Sequence, residues 1–172
     1  ACTEGPRDCA SGHCSAVGET HTCTPYSVAD CVVTVTSADK RNSRTNLIFI
    51  NSNAKLAALR DSVDGCAATG GVGGGGGWRV VGGALWIFEA NDVVDLEALK
   101  DLRAIDGKSN KGWSLLIQDN ANLTSLAGLR NVRGALPGAL DIRDNAALAS
   151  LAGLEGITAA GTALSLIHIS EP

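Results

Sequence analysis

The chain has 172 residues and a mass of 17.5 kDa, a low mean residue mass that reflects 21 glycines and many alanines. This length suits one domain with a small appendage and excludes two large lobes. Hydrophobic residues at 45% exclude a disordered tail, aromatics at 3% argue against an aromatic-rich sandwich, and a net charge of −4 offers no basic field for nucleic acid or an anionic membrane.

In chain order, the first element is a cysteine-rich segment, residues 1–30. It holds Cys2, Cys9, Cys14 and Cys23 at spacings C-x6-C-x4-C-x8-C, among Gly, Ser, Thr and Glu without apolar periodicity. With Cys31 and Cys66 the count is six, all within the first 66 residues, which reads as disulfides formed in an oxidising compartment. His13 and His21 stand beside thiols, but no C-x2-C knuckle accompanies them, so no metal is assigned.

A repeat-bearing domain follows over residues 31–163. Its first copy, Ile50–Leu59, reads INSNAKLAAL. Gly70–Gly77 interrupts the pattern as a glycine tract, read as a flexible insertion. It satisfies G-x-G-x-x-G formally, but no strand precedes it and no helix opens on it, so no phosphate cradle is assigned. A strand is expected from near Trp78, and a second copy spans Leu85–Gly107, with Leu96, Leu99, Leu102 and Ile105.

The last two copies are the clearest. Ile117–Val132 (IQDNANLTSLAGLRNV) and Ile142–Ile157 (IRDNAALASLAGLEGI) match at 10 of 16 positions. Leu115/Ile117 and Leu140/Ile142 alternate as half-buried strands do, and the leucines after them recur every three residues, closer to a 3-10 turn than to an α-helix. Asn53, Asn120 and Asn145 each fall three residues after a strand isoleucine, where an amide side chain can satisfy a buried turn.

The final residues, 164–172 (LSLIHISEP), resemble the in-frame translation of a sequencing-library adapter, and the natural domain is expected to continue beyond Ala163 in different residues. Leu164 and Leu166 nevertheless supply strand-like alternation where another strand is due.

The pattern L-x-I-x-x-N-x-x-L-x-x-L-x-G-L, at Leu115–Leu129 and Leu140–Leu154, resembles the receptor L domain, the leucine-rich-repeat-like ligand-binding domain of insulin and epidermal growth factor receptors. The resemblance implies a repeat solenoid: a right-handed parallel β-helix with 3-10 or helical turns and a disulfide-rich N-terminal cap. The glycine tract and the small number of repeats depart from the family. Asp8–Cys14 (DCASGHC) is similar to short cysteine-rich modules of secreted surface proteins. The preferred pairing is Cys2–Cys14, Cys9–Cys23 and Cys31–Cys66, one of 15 possible connectivities.

Side-chain alternation then defines a candidate face. With the Leu/Ile pairs inside, Phe49 and Asn51, Trp86 and Phe88, Leu116 and Gln118, and Asp141 and Arg143 point outward on adjacent strands. They are expected to form a wet patch that binds a protein or carbohydrate ligand, as sheet faces do in the resembled family. The opposing expectation is that the cysteine-rich segment or the glycine insertion covers the patch as a satellite core.

No nucleophile, general-base or zinc-binding motif stands out, so the expectation is a non-enzymatic extracellular or cell-surface recognition module without a cofactor. The alternative is a structural or adhesive surface-coat protein. Glu89, Asp119 and Asp144 recur at strand exits, but one carboxylate per unit is thin for calcium. No stretch is long and apolar enough to span a membrane. Asn122-Leu123-Thr124 is a glycosylation sequon on a turn.

Overall fold

The computed structural model describes residues 14–17, 20–23, 26–29, 31–35, 46–64, 66, 76–161 and 164–167. Strands β1 (Cys14–Val17) and β2 (Thr20–Cys23) form an antiparallel hairpin, and β3 (Tyr26–Ala29) pairs antiparallel with β4 (Val32–Val35). The chain then runs β5 (Leu47–Ile50), helix α1 (Asn53–Ser62), β6 (Trp78–Val81), β7 (Ala84–Phe88), a 3-10 turn (Glu97–Leu99), β8 (Leu102–Asp106) and β9 (Trp113–Gln118). A second 3-10 turn (Ala127–Leu129) leads to β10 (Gly134–Ala135), β11 (Ala139–Arg143), β12 (Ile157–Ala159) and β13 (Leu164–Ile167).

Two larger sheets result. One is wholly parallel, in the order β13-β11-β9-β7-β5; the other, β3-β4-β6-β8, is parallel apart from β3. β10 and β12 make a small parallel pair. The expected repeat solenoid is therefore corrected: no solenoid is detected among the described residues, and the arrangement is α/β-like, mostly parallel sheets with one helix.

The physical reason lies in the unequal units. From Ile50 to Ile87 to Ile117 to Ile142 the intervals are 37, 30 and 25 residues, and their connectors differ in kind. The first holds a ten-residue helix, favoured by Ala54, Lys55, Ala57, Ala58 and Arg60 and capped by the Ser52 hydroxyl, which accepts from the Lys55 N–H. The next two use single 3-10 turns.

The main core lies under the inward side chains of both large sheets. Ile48, Ile50, Leu85, Ile87, Leu115, Ile117, Leu140 and Ile142 meet Val33, Val35, Trp78, Val80, Leu102 and Ile105, with Leu56, Leu59, Leu96, Leu99, Leu126 and Leu129 from the connectors. A disulfide joins Cys31 to Cys66, with their Cα atoms 5.5 Å apart, across 35 residues of sequence. The pairings expected for Cys2, Cys9, Cys14 and Cys23 lie outside the described side chains, as does the glycine tract at 70–75.

The repeat motif acquires a physical meaning at two of its residues. A Cβ on Gly128 would stand 1.7 Å from the Leu96 carbonyl oxygen, so only glycine lets this turn approach the preceding unit. Asn120 and Asn145 are fully buried and form a ladder. The Asn120 side chain accepts from the Ala90 N–H at 3.0 Å and donates to the Ile87 carbonyl at 3.1 Å and to Asn145 Oδ1 at 2.9 Å. Asn145 donates in turn to the Ile117 and Arg143 carbonyls, both at 2.9 Å. Asn53 does not join them; it is the exposed first residue of α1 and bonds Asp92 through its backbone N–H (2.9 Å) and its side-chain amide.

Candidate functional site

The outer face of the five-stranded sheet is set by strand register. Phe49, Trp86, Leu116 and Asp141 are successive partners across β5, β7, β9 and β11, and Phe88, Gln118 and Arg143 form the neighbouring row. Phe49, Trp86 and Phe88 thus gather on the β5–β7 half, Leu116 continues the apolar row on β9, and Gln118, Asp141 and Arg143 bring polar and charged groups to the β9–β11 half. Ring centroids are 5.4 Å apart for Phe49–Trp86, which meet edge-on, 5.0 Å for Trp86–Phe88 and 6.2 Å for Phe49–Phe88. Lys55 extends from α1 to place its Nζ 5.0 Å from the Phe49 ring centre.

The expected wet patch is corrected in part. Leu116 is 1% exposed, Asp141 5% and Trp86 9%, so the first row is core from Trp86 onward. Trp86 and Leu116 belong to a second hydrophobic cluster with Leu47 and Ala84, against which Phe49, Phe88 and Trp113 pack while remaining half-buried. The physical reason is visible in β7, where Ala84 through Ile87 are all buried: this strand is covered on both faces, so alternation sets side-chain direction without setting exposure. The accessible part of the face is Phe49, Phe88, Gln118 and Arg143, which are half-buried, and Asn51, which is exposed.

Charge on this face is concentrated at β11. Arg143 Nε lies 3.7 Å from Asp141 Oδ2, longer than a hydrogen bond, and Asp141 Oδ1 has no hydrogen-bond partner. Burial pushes the Asp141 carboxyl above its ordinary range; the Arg143 guanidinium opposes the rise and the Asp144 carboxylate adds to it.

Counting by twos misses Trp113. The β9–β11 register slips between Ala139 and Leu140, so Ser114 is the extra residue. Its buried hydroxyl donates to the Gly107 carbonyl at 2.6 Å and accepts from the Gly138 N–H at 2.8 Å. The bulge returns Trp113 to the outer cluster, and the small polar side chain between Trp113 and the Leu115–Ile117 run is the signal that marks it.

Elsewhere, a groove of about 560 Å³ runs between α1 and the Glu97–Leu99 turn, with Leu56, Ala57 and Val94 among its walls and Arg60, Glu97 and Lys100 at its rim. Glu89, Asp119 and Asp144 all adopt the left-handed conformation (φ 51°, 56° and 55°) just before the buried turn positions, which identifies them as turn residues. Among the described residues, no group of three or more His, Cys, Asp or Glu side chains could hold a metal ion. Nor is any helix of the described residues long and apolar enough to cross a membrane.

No protein-family model, curated protein or solved structure matches this chain, so nothing identifies it as a receptor L domain. The Cys31–Cys66 disulfide is consistent with an oxidising environment.

Proposed function

We propose that the chain is a non-catalytic recognition module of the extracellular space or cell surface, binding a protein or glycan through the outer face of its five-stranded sheet. The observation that carries this reading is the juxtaposition of half-exposed Phe49 and Phe88 with half-exposed Gln118 and Arg143 above a buried Trp86–Leu116 floor. Such a floor fixes the rim side chains, and aromatic and arginine side chains are enriched among the residues that dominate binding energy in recognition surfaces. Exposed Asn51 follows β5 at the end of this face, and buried Asp141 sets a carboxylate 3.7 Å from the Arg143 guanidinium. The repeat motif's resemblance to receptor L domains supports the same reading, and the disulfide supports the compartment.

The test is a printed glycan array probed in parallel with immobilised extracellular-matrix proteins, using the oxidised chain and its Phe88→Ala and Arg143→Ala variants. Retention that both variants lose, with melting temperatures shifted by less than about 5 °C, supports the proposal. Retention untouched by both substitutions refutes this face as the site.

A further inference from the structure

Asn122-Leu123-Thr124 is the one Asn-x-Ser/Thr sequon in the chain, and it falls on the turn between β9 and the Ala127–Leu129 3-10 turn. Leu123 is fully buried, while Asn122 and Thr124 on either side are exposed. The folded turn is held to the preceding unit from both ends: Asn122 Nδ2 donates to the Asn91 carbonyl at 2.7 Å, and the Thr124 hydroxyl and backbone N–H both donate to the Val94 carbonyl, at 3.0 and 2.9 Å.

We propose that Asn122 is an N-linked glycan acceptor that is modified while the chain is still open, before the turn closes on Asn91 and Val94. Transfer from a lipid-linked oligosaccharide pyrophosphate forms a bond between Asn122 Nδ2 and the anomeric carbon. The carbon–oxygen bond to the pyrophosphate breaks, one Nδ2 proton leaves, and the lipid pyrophosphate departs. The sequon's threonine hydroxyl must be available to the transferase during this step. In the folded chain that hydroxyl is engaged by Val94 and Leu123 is locked in the core, so the folded turn cannot present the extended acceptor.

The finished product is nonetheless compatible with the fold. The modified amide keeps one N–H, which suffices for the single bond to the Asn91 carbonyl. The sugar leaves from an exposed position on the same connector edge as Val94, a large hydrophobic residue that is 54% exposed. The glycan therefore sits on the connector edge rather than among the rim residues of the outer sheet face.

The experiment expresses the full chain behind a secretory leader in a eukaryotic line and measures intact mass, in medium and cells together, before and after peptide-N-glycosidase F. The expected result is a glycan removed by the enzyme with conversion of residue 122 to aspartate, retained in Thr124→Ser and lost in Asn122→Gln and Thr124→Ala. Absence of a glycan in both fractions overturns the site. In a second arm, the oxidised, folded, unglycosylated chain is incubated with purified oligosaccharyltransferase and lipid-linked oligosaccharide, with an acceptor tripeptide as control. The folded chain is expected to stay unmodified while the tripeptide reacts; modification of the folded chain overturns the ordering.

Discussion

Replacing Asn120 by alanine removes three buried hydrogen bonds at once and is the sharpest test of how the units are joined. The side chain's loss strands the Ala90 N–H, which solvent cannot reach through a fully buried site, removes the amide donor from the Ile87 carbonyl, and takes one partner from Asn145 Oδ1, which keeps the Asn120 N–H at 3.2 Å. One orphaned buried donor at about 1–3 kcal/mol and two further lost buried hydrogen bonds at about 0.5–1.5 kcal/mol each give a loss of about 2–6 kcal/mol. For a chain of this size that lowers the melting temperature by roughly 4–24 °C, at about 2–4 °C per kcal/mol. Asn131 is the control: its side chain makes one bond, to the Lys100 carbonyl at 2.8 Å, at an exposed position where water can replace it. Asn131→Ala should therefore cost less than about 1 kcal/mol. Denaturant titration of both variants compares them. An Asn120→Ala loss no larger than that of Asn131→Ala would refute the ladder as the element that ties β7, β9 and β11 together.

Other expectations follow from the same geometry. Gly128→Ala forces a Cβ into the Leu96 carbonyl and should lower stability by about 3 kcal/mol or more, read by thermal unfolding; a neutral effect would mean that the turn can move away. Reducing Cys31–Cys66, which closes a 35-residue separation, should cost about 4 kcal/mol on loop entropy, and thiol labelling of the denatured unreduced chain should find neither cysteine free. Because burial raises the Asp141 pKa above 3.8, the folded state holds that proton more tightly than the unfolded state. This contribution is therefore full below pH 3.8 and is lost as pH rises through the folded value. Asp141→Asn should flatten that part of the pH–stability curve, and an unchanged curve would refute the assignment. Trp86→Ala should collapse stability by about 3–5 kcal/mol, whereas Phe88→Ala, at a half-buried position, should cost less.

Much of this arrangement was legible in the residues, and the gaps have physical causes. The Leu/Ile alternation in β7, β9 and β11 marked both strands and inward faces, because a two-residue period admits one reading when half the positions are fully apolar. The unit at Ile50 was harder. Its leucines at Leu56 and Leu59 fit a three-residue spacing as well as a helical face, and α1 forms because its alanines and basic residues favour a helix over a single tight turn. The grouping of Asn53 with Asn120 and Asn145 failed for the same reason, since a helix start replaces the turn that an amide would fill. The four-stranded sheet was foreshadowed only at Trp78. The β8 segment Leu102–Asp106 carries Arg103 and Asp106, and its Leu102 and Ile105 fit the three-residue leucine spacing as well as a strand. The outer face shows the deepest limit: alternation told which way Trp86 and Leu116 point, while their burial depends on what packs against that side, a tertiary property with no local signature.

The most direct measurement of the recognition reading pairs affinity with stability in one double variant. Phe88→Ala/Arg143→Ala leaves the buried Trp86–Leu116 floor in place and removes two accessible rim side chains from it. Binding to the glycan or matrix protein retained by the unsubstituted chain should fall by at least about 30-fold, equivalent to the roughly 2 kcal/mol that marks a hot spot, while the melting temperature moves by less than about 5 °C. Affinity unchanged within threefold in a variant that melts normally would contradict the assignment of this face.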